Sequence, residues 1–308
     1  MRNAMRITNS QTAATMLNSM NRNSSEMAEL MQKMSDGTRI LKPSDDPVAS
    51  VRLLRIQRAE ASLTQYGKNI TNVSSNLSIQ ETNLQSTSDT MLEVRDLLLW
   101  AANGSNTSAD LNAMASELSS LESTVLSYLN VRDEEGRYLF SGTLTDRPAV
   151  AYDSATETYS ANGNDKTRQA AVANGVLVQE NVAIAGVFGT GMDFLNTLHS
   201  VVNLLKDPAL DSTDPATVQQ IRDAITQLDA SHGGVLSSIT ELGGRQNTLT
   251  LLDNSNQDVS LVNNQIDGEL AGLDYAGASI DLQNYKLALQ ATQKTYLTVN
   301  DLSLFDLL

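Results

Sequence analysis

The sequence predicts a mainly α protein: a long antiparallel coiled-coil-like helical rod with paired terminal helices and a small β-rich insert at the distal end. Three observations carry this. Apolar residues recur at alternating three- and four-residue steps from Ile56 to Leu98 and again from Val218 to Leu249. Shorter stripes of the same kind occupy both ends of the chain. Such stripes must bury one face to be stable. Between the two halves, from Arg137 to about Gly191, short alternating runs are separated by Gly, Asn and Asp, the chemistry of strands and turns.

Composition narrows the function classes. Aromatic residues make up 4 % of 308, with Trp100 the single Trp, and only five prolines interrupt the chain. The formal net charge of −15 disfavours a nucleic-acid partner, because nothing offsets phosphate repulsion. It reads first as a solvated acidic surface. The absence of cysteine excludes disulfides, thiolate catalysis and Cys-based zinc sites. No apolar run approaches the roughly 20 residues of a membrane span. The start, Met1-Arg2-Asn3-Ala4-Met5-Arg6, lacks an apolar core, so no cleaved secretory signal is expected. Such a chain stays in the cytosol or leaves by a route that reads something else.

The N-terminal helix carries Ala13, Leu17, Met20, Met27, Leu30, Met31 and Met34. Ordinary termini fray and carry little apolar surface, so these are candidate subunit-interface residues. After Pro43, the oxygens of Ser44, Asp45 and Asp46 are candidate helix caps, and Pro47 suits a first helical turn. The heptad then runs through Ile56, Ala59, Leu63, Tyr66, Ile70, Val73, Leu77, Gln80, Leu84, Thr87, Met91, Val94 and Leu98, with only Gln80 and Thr87 polar. A helix from about Pro47 to Leu99 runs roughly 80 Å. Asn103 to Ser108 is a turn, and Leu111, Met114, Leu118, Leu121, Val125 and Tyr128 form the next stripe. The short linker predicts an antiparallel hairpin.

In the insert, the predicted strands are 138–140, 149–152, 156–159, 175–178 and 182–184. Helices resume with Phe194, Leu195, Leu198, Val201, Val202 and Leu205. Ser212-Thr213-Asp214-Pro215 marks the next start. Its stripe, Val218, Ile221, Ile225, Leu228, His232, Val235, Ile239, Leu242, Gln246 and Leu249, slips in phase and continues through Leu252, Val259, Val262, Ile266, Leu270 and Leu273. Gly233-Gly234 and Gly243-Gly244 predict a kink or local break. The last helix repeats the terminal pattern with Leu273, Ala276, Ile280, Leu287 and Ala291, then Leu302, Phe305 and Leu308. Ile280, Leu287, Ala291, Leu302, Phe305 and Leu308 join the interface candidates. The nested order places the halves antiparallel. The domains are then a terminal one of 1–45 plus 270–308, a rod of 46–136 plus 192–269, and the insert of 137–191.

Catalytic chemistry is not written here. His199 borders an apolar stripe, and His232 sits on a seam as a hydrogen-bonded residue or a pH-sensitive one. No metalloprotease, nucleophile-elbow or Ser-x-x-Lys pattern occurs. Gly186-Val187-Phe188-Gly189-Thr190-Gly191 resembles a dinucleotide loop, but Phe194 stands where a small residue is wanted, so these glycines mark the exit from the insert. Asp133-Glu134-Glu135-Gly136 lacks EF-hand spacing. No metal site, cofactor or enzymatic activity is expected.

Three motifs, in order, carry a resemblance. Met34-Ser35-Asp36-Gly37-Thr38-Arg39-Ile40 followed by Pro43-Ser44-Asp45-Asp46-Pro47-Val48-Ala49 resembles the signature near the start of bacterial flagellins. The Pro-Ser-Asp-Asp-Pro form is closer to members at the hook–filament junction than to filament flagellins. Tyr138-Leu139-Phe140-Ser141-Gly142-Thr143 and the ending from Leu287 to Leu308 are similar to the family too. Residues Gly37, Arg39, Ile40, Pro43, Ser44, Asp45, Asp46 and Pro47 constitute the signature. The resemblance implies a structural flagellar protein without a cofactor. It also implies a ring of identical copies between an adjacent hook-associated junction protein and the flagellin filament. The resemblance further implies export as an unfolded chain through the flagellar type III apparatus, with a cytosolic export chaperone, and so an extracellular place on the flagellum. A filament flagellin proper, or another coiled-coil assembly or adaptor protein, is the alternative. Physically, terminal stripes without cover should order only when neighbouring copies supply it.

Overall fold

The computed structural model describes the backbone of residues 2–208, 210 and 213–305, and the side chains of 11–208, 210 and 213–298. The chain is mainly α. Its elements are α1 (Arg2–Asp36), α2 (Pro47–Ala101), α3 (Ser108–Leu129), β1 (Val150–Asp153), β2 (Thr158–Ala161), β3 (Gln169–Ala173), β4 (Val176–Gln179), α4 (Ile184–Phe188), α5 (Asp193–Leu205), α6 (Pro215–Ala271) and α7 (Tyr275–Phe305). Two compact units divide it: Met1–Ser62 with Val259–Leu308, and Leu63–Asp258.

The second unit holds the buried core. On α2 every seam position from Ile70 to Leu98 is buried, at Ile70, Val73, Leu77, Gln80, Leu84, Thr87, Met91, Val94 and Leu98. Opposite them lie Ile221, Ala224, Leu228, Val235, Leu242 and Leu249 of α6, and Leu111, Ala115, Leu118, Val125 and Leu129 of α3. Helix α3 starts in a capping box, with Thr107 accepting from Asp110 N and Asp110 answering on Thr107 N. It packs on α5, whose apolar face is Phe194, Leu195, Leu198, Val201, Val202 and Leu205.

Helix α6 is continuous across both glycine pairs, so the local break expected there does not occur. Gly234 has a different reason: a Cβ there would lie 2.8 Å from the carbonyl oxygen of Val187, so the bare Cα admits the α4 backbone. Asp214 caps α6, accepting weakly from the amides of Ala216 and Thr217 at 3.3 and 3.4 Å. Ser212 lies outside the described residues.

The insert contains two separate antiparallel hairpins, β1–β2 and β3–β4. Strands β1, β2 and β4 overlap predicted runs. Residues 138–140 and 182–184 are not strands, and β3, Gln169–Ala173, was not predicted because alanine is poor strand material. The second hairpin lies alongside the long helices. Gln80 explains its polarity here: its amide nitrogen donates to Glu180 O at 3.0 Å and its oxygen accepts from Val182 N at 2.7 Å. Arg245 donates to Asn181 O and Gln179 Oε1. Further along, Asn69 of α2 donates to Ala171 O and Asn256 of α6 donates to Val172 O. The irregularity between Ala171 and Ala173 coincides with a fully buried Val172. The hairpin therefore sits beside the middle of α2, not past the α2–α3 turn.

Candidate functional site: the paired terminal helices and their crossing

Within the first unit, α1 packs along α7. On α1, Ala13, Met16, Met20, Asn23, Met27, Leu30 and Met34 are partly covered at three–four alternation, flanked by partly covered Ser19, Glu29 and Lys33. On α7 the buried Ala278 is followed by half-buried Leu282, Tyr285, Leu289, Thr292 and Tyr296, at the same alternation. These two heptads face each other.

Of the predicted interface residues, Ala13, Met20, Met27, Leu30 and Met34 lie on this seam. Leu17 and Met31 do not; they are 43 and 48 % exposed. Ile280 and Leu287, at 63 and 57 % exposure, and Ala291 lie on the outward side of α7. The side chains of Leu302, Phe305 and Leu308 lie outside the described residues. Sequence reading missed Met16, Leu282, Tyr285, Leu289 and Tyr296. Helix α7 carries two apolar stripes, and the signal for the inner one is its unbroken alternation from Ala278 to Tyr296.

The family-like signature forms the crossing where α1 gives way to α2 and α6 to α7. Thr38 and Gly272 make an isolated antiparallel bridge. Arg39 N donates to Ala271 O at 2.7 Å, and Leu273 N to Gly37 O at 3.2 Å. Tyr275 donates its hydroxyl to Met34 O at 3.0 Å. Gly37 has φ +70, and a Cβ there would meet the Tyr275 hydroxyl at 3.2 Å, so glycine is favoured twice over. The Arg39 guanidinium donates to Leu270 O at 3.0 Å and to Asp46 Oδ2 at 3.2 Å. A cation thus sits at the C-terminal carbonyls of α6, where a helix dipole favours it.

The three candidate caps separate into distinct roles. Asp46 is the N-cap of α2, accepting from Ala49 N at 3.0 Å, with Pro47 opening the helix. Asp45 turns back and accepts from Leu41 N and Lys42 N. Main-chain donation by Lys42 and Leu41 holds the Asp45 carboxyl below the usual carboxylate range; donation by Ala49 and Arg39 does so for Asp46. Pro43 and Ser44 are exposed on the loop, and Ile40 is half-covered.

Elsewhere the polar groups are structural. In the motif that enters the insert, Leu139, Phe140 and Ser141 are buried, and Ser141 Oγ donates to Arg147 O. His232 shares a 2.8 Å hydrogen bond with Ser88. His199 pairs with buried Glu122 at 2.9 Å and lies beside Tyr152 and Tyr159, tying the β1–β2 hairpin to α3 and α5. Among the described residues no group of three or more His, Asp or Glu could hold a metal. No helix there is long and apolar enough to cross a membrane.

Comparison with known proteins places this geometry. Residues 7–145 match the bacterial flagellin N-terminal helical region. The flagellar hook-associated protein 3 of Escherichia coli K12 is 26 % identical over 288 residues, covering 90 % of this chain and 91 % of that protein. A solved structure from Vibrio parahaemolyticus, described as a flagellar hook-associated protein, is 34 % identical with a TM-score of 0.68, covering 74 % of this chain and all of that one. The flagellar junction protein of Legionella pneumophila shares the fold at 18 % identity, TM-score 0.60, over 72 % of this chain and all of that one.

Proposed function

The chain belongs to the hook-associated protein 3 family of bacterial flagellins, and from that premise we propose that it forms a ring of copies joining hook to filament. The observation that carries this is the outward stripe of α7. With α1 already on its inner seam, Ile280 and Leu287 remain more than half exposed. Apolar side chains regularly spaced on a helix are interface material.

In this reading residues 1–45 and 270–308 are the assembly segment. The copies bind one another, a hook-associated junction protein on one side and the flagellin filament on the other. The protein has no catalytic role. It leaves the cell unfolded by the flagellar type III route after release from a cytosolic chaperone, which suits a chain with no cysteine to cross-link it.

Epitope labelling on intact cells tests the reading. A single focus between hook and filament supports it. Label along the whole filament, or spontaneous growth of purified protein into long filaments, identifies a filament flagellin instead.

A further inference from the structure

The sequence holds three Asn-Gly pairs: Asn103-Gly104, Asn162-Gly163 and Asn174-Gly175. In such a pair the glycine main-chain nitrogen can close a five-membered ring onto the asparagine side-chain carbonyl carbon, because no Cβ blocks its approach. The structure treats the three differently. Gly163 is packed against main chain, where a Cβ would lie 2.6 Å from Ser141 O, and Asn162 N donates to Ala149 O at 2.9 Å. Asn174 and Gly175 form the β3–β4 turn, with Ala173 and Val176 paired on either side. Ring closure rotates the chain about the asparagine Cα–C bond. Packing opposes that rotation at Asn162, and the strand ladder opposes it at Asn174.

Asn103-Gly104 stands in the open turn between α2 and α3, and Asn103, Gly104 and Ser105 are all exposed. The two nitrogens that must change partners are free: neither Gly104 N nor Asn103 Nδ2 donates to a described residue. Asn103 Oδ1, by contrast, accepts twice, from Ser105 N at 3.3 Å and from Ser105 Oγ at 3.1 Å. Donors on that oxygen stabilise the negative charge it takes on when its carbon is attacked. Nucleophile, leaving group and polarised carbonyl thus lie together in three consecutive residues.

We propose that Asn103 is a site of spontaneous covalent modification, converted by its own turn to aspartate and isoaspartate. Gly104 N loses its proton and bonds to Asn103 Cγ. The Cγ–Nδ2 bond breaks, and ammonia leaves with that proton, taken up through solvent. The cyclic imide then adds one water. Opening between Cγ and the glycine nitrogen leaves aspartate; opening at the main-chain carbonyl leaves isoaspartate, whose chain runs through Cγ. Either product sets a carboxylate beside the C-terminal carbonyls of α2, where the helix dipole opposes it. Isoaspartate also adds one carbon to the path of the turn. The α2–α3 turn therefore carries a slow, one-way chemical change that needs no enzyme and no reagent but water.

Mass spectrometry of the full chain, held folded in mildly alkaline buffer, tests this. Tryptic peptides separate the three pairs, because Arg132 lies between the first and second and Lys166 and Arg168 lie between the second and third. Asn103 should convert at least about tenfold faster than Asn162 and Asn174, a modest share of what alignment of reacting groups can supply, with isoaspartate among its products. In urea the three should convert at similar rates. Asn103 converting no faster than the other two in the folded chain overturns the proposal. Asn103 leading by the same factor in urea assigns its reactivity to local sequence and overturns the role of the turn. Ser105→Ala removes the hydroxyl donor alone and should slow Asn103 severalfold, with Asn162 and Asn174 unchanged; an equal or faster rate at Asn103 contradicts activation by Ser105.

Discussion

Arg39 and Leu270 meet at 3.0 Å, the guanidinium of one donating to the carbonyl oxygen of the other, 231 positions apart in the chain. The same Nη2 donates to Asp46, the N-cap of α2. One side chain therefore holds the end of α6 against the start of α2. Arg39→Ala should weaken this crossing by about 1 kcal/mol, the scale of an exposed charge-assisted contact. Faster amide exchange at Arg39 and Leu273, with the second unit unchanged, is the expected reading. Arg39→Lys keeps the charge without the fork and should recover only part of the loss.

Acid should loosen the crossing in a defined direction. Asp45 and Asp46 have carboxyls held below their ordinary value of 3.8 by main-chain donors and, for Asp46, by Arg39. A depressed folded-state pKa contributes stability above the unfolded value and loses it as pH falls through the folded one. Amide protection at Leu41, Lys42 and Ala49 should hold down to about pH 4 and decay below it. Asp46→Asn should flatten that decay at Ala49.

Gln80 separates the coiled-coil reading from the structure. A heptad seam invites Leu at this position, yet Gln80→Leu orphans Glu180 O and Val182 N. The variant should lose about 2–4 kcal/mol, visible in urea unfolding of the second unit. A stabilised variant would show that the contact with the insert is not needed.

The glycines of α6 divide in the same way. Gly233→Ala meets no neighbouring atom within 4 Å and should stabilise by about 0.8–1 kcal/mol. Gly234→Ala drives its methyl to 2.8 Å from Val187 O and should destabilise by about 1–3 kcal/mol. Thermal unfolding of the two variants should move in opposite directions.

These cases show what is legible in a sequence of this kind. From Ile70 to Leu98 every heptad position is buried, with Ser88 and Thr90 the two further buried residues, because that helix is covered by its own chain. Towards its start, Ala59 reads as a seam residue but is exposed, and Glu60 is inside. Val259 and Val262 read as seam residues too, and the structure places Ser260 and Asn263 there instead. Periodicity reports where an apolar face is, not whether the same molecule covers it. On α7 two stripes compete, and Ile280 and Leu287 belong to the one that α1 leaves open. Composition likewise could not disclose that the caps Asp45 and Asp46 serve different turns, since that depends on the 41–45 turn folding back so that Asp45 accepts from Leu41 and Lys42 while Asp46 accepts from Ala49.

The two stripes of α7 should separate assembly from folding. Leu287→Asp changes a side chain that is 57 % exposed; it should leave the circular dichroism of the monomer unchanged and abolish incorporation into flagella. Leu282→Asp, on the inner seam, should likewise leave the monomer unchanged, but in flagella it should keep the α1 amides exchanging fast by unpairing α1 from α7.

Hydrogen exchange of a verified monomer, compared with the same protein in isolated flagella, tests the central claim most directly. The seam between α1 and α7 is largely half-buried, so the pair should open readily in a lone chain. Amides of 12–36 and 275–298 should exchange at nearly unprotected rates in the monomer and become slow in flagella, while those of 70–98 stay slow in both. Strong protection of both terminal helices in the dilute monomer would contradict the dependence of their order on neighbouring copies.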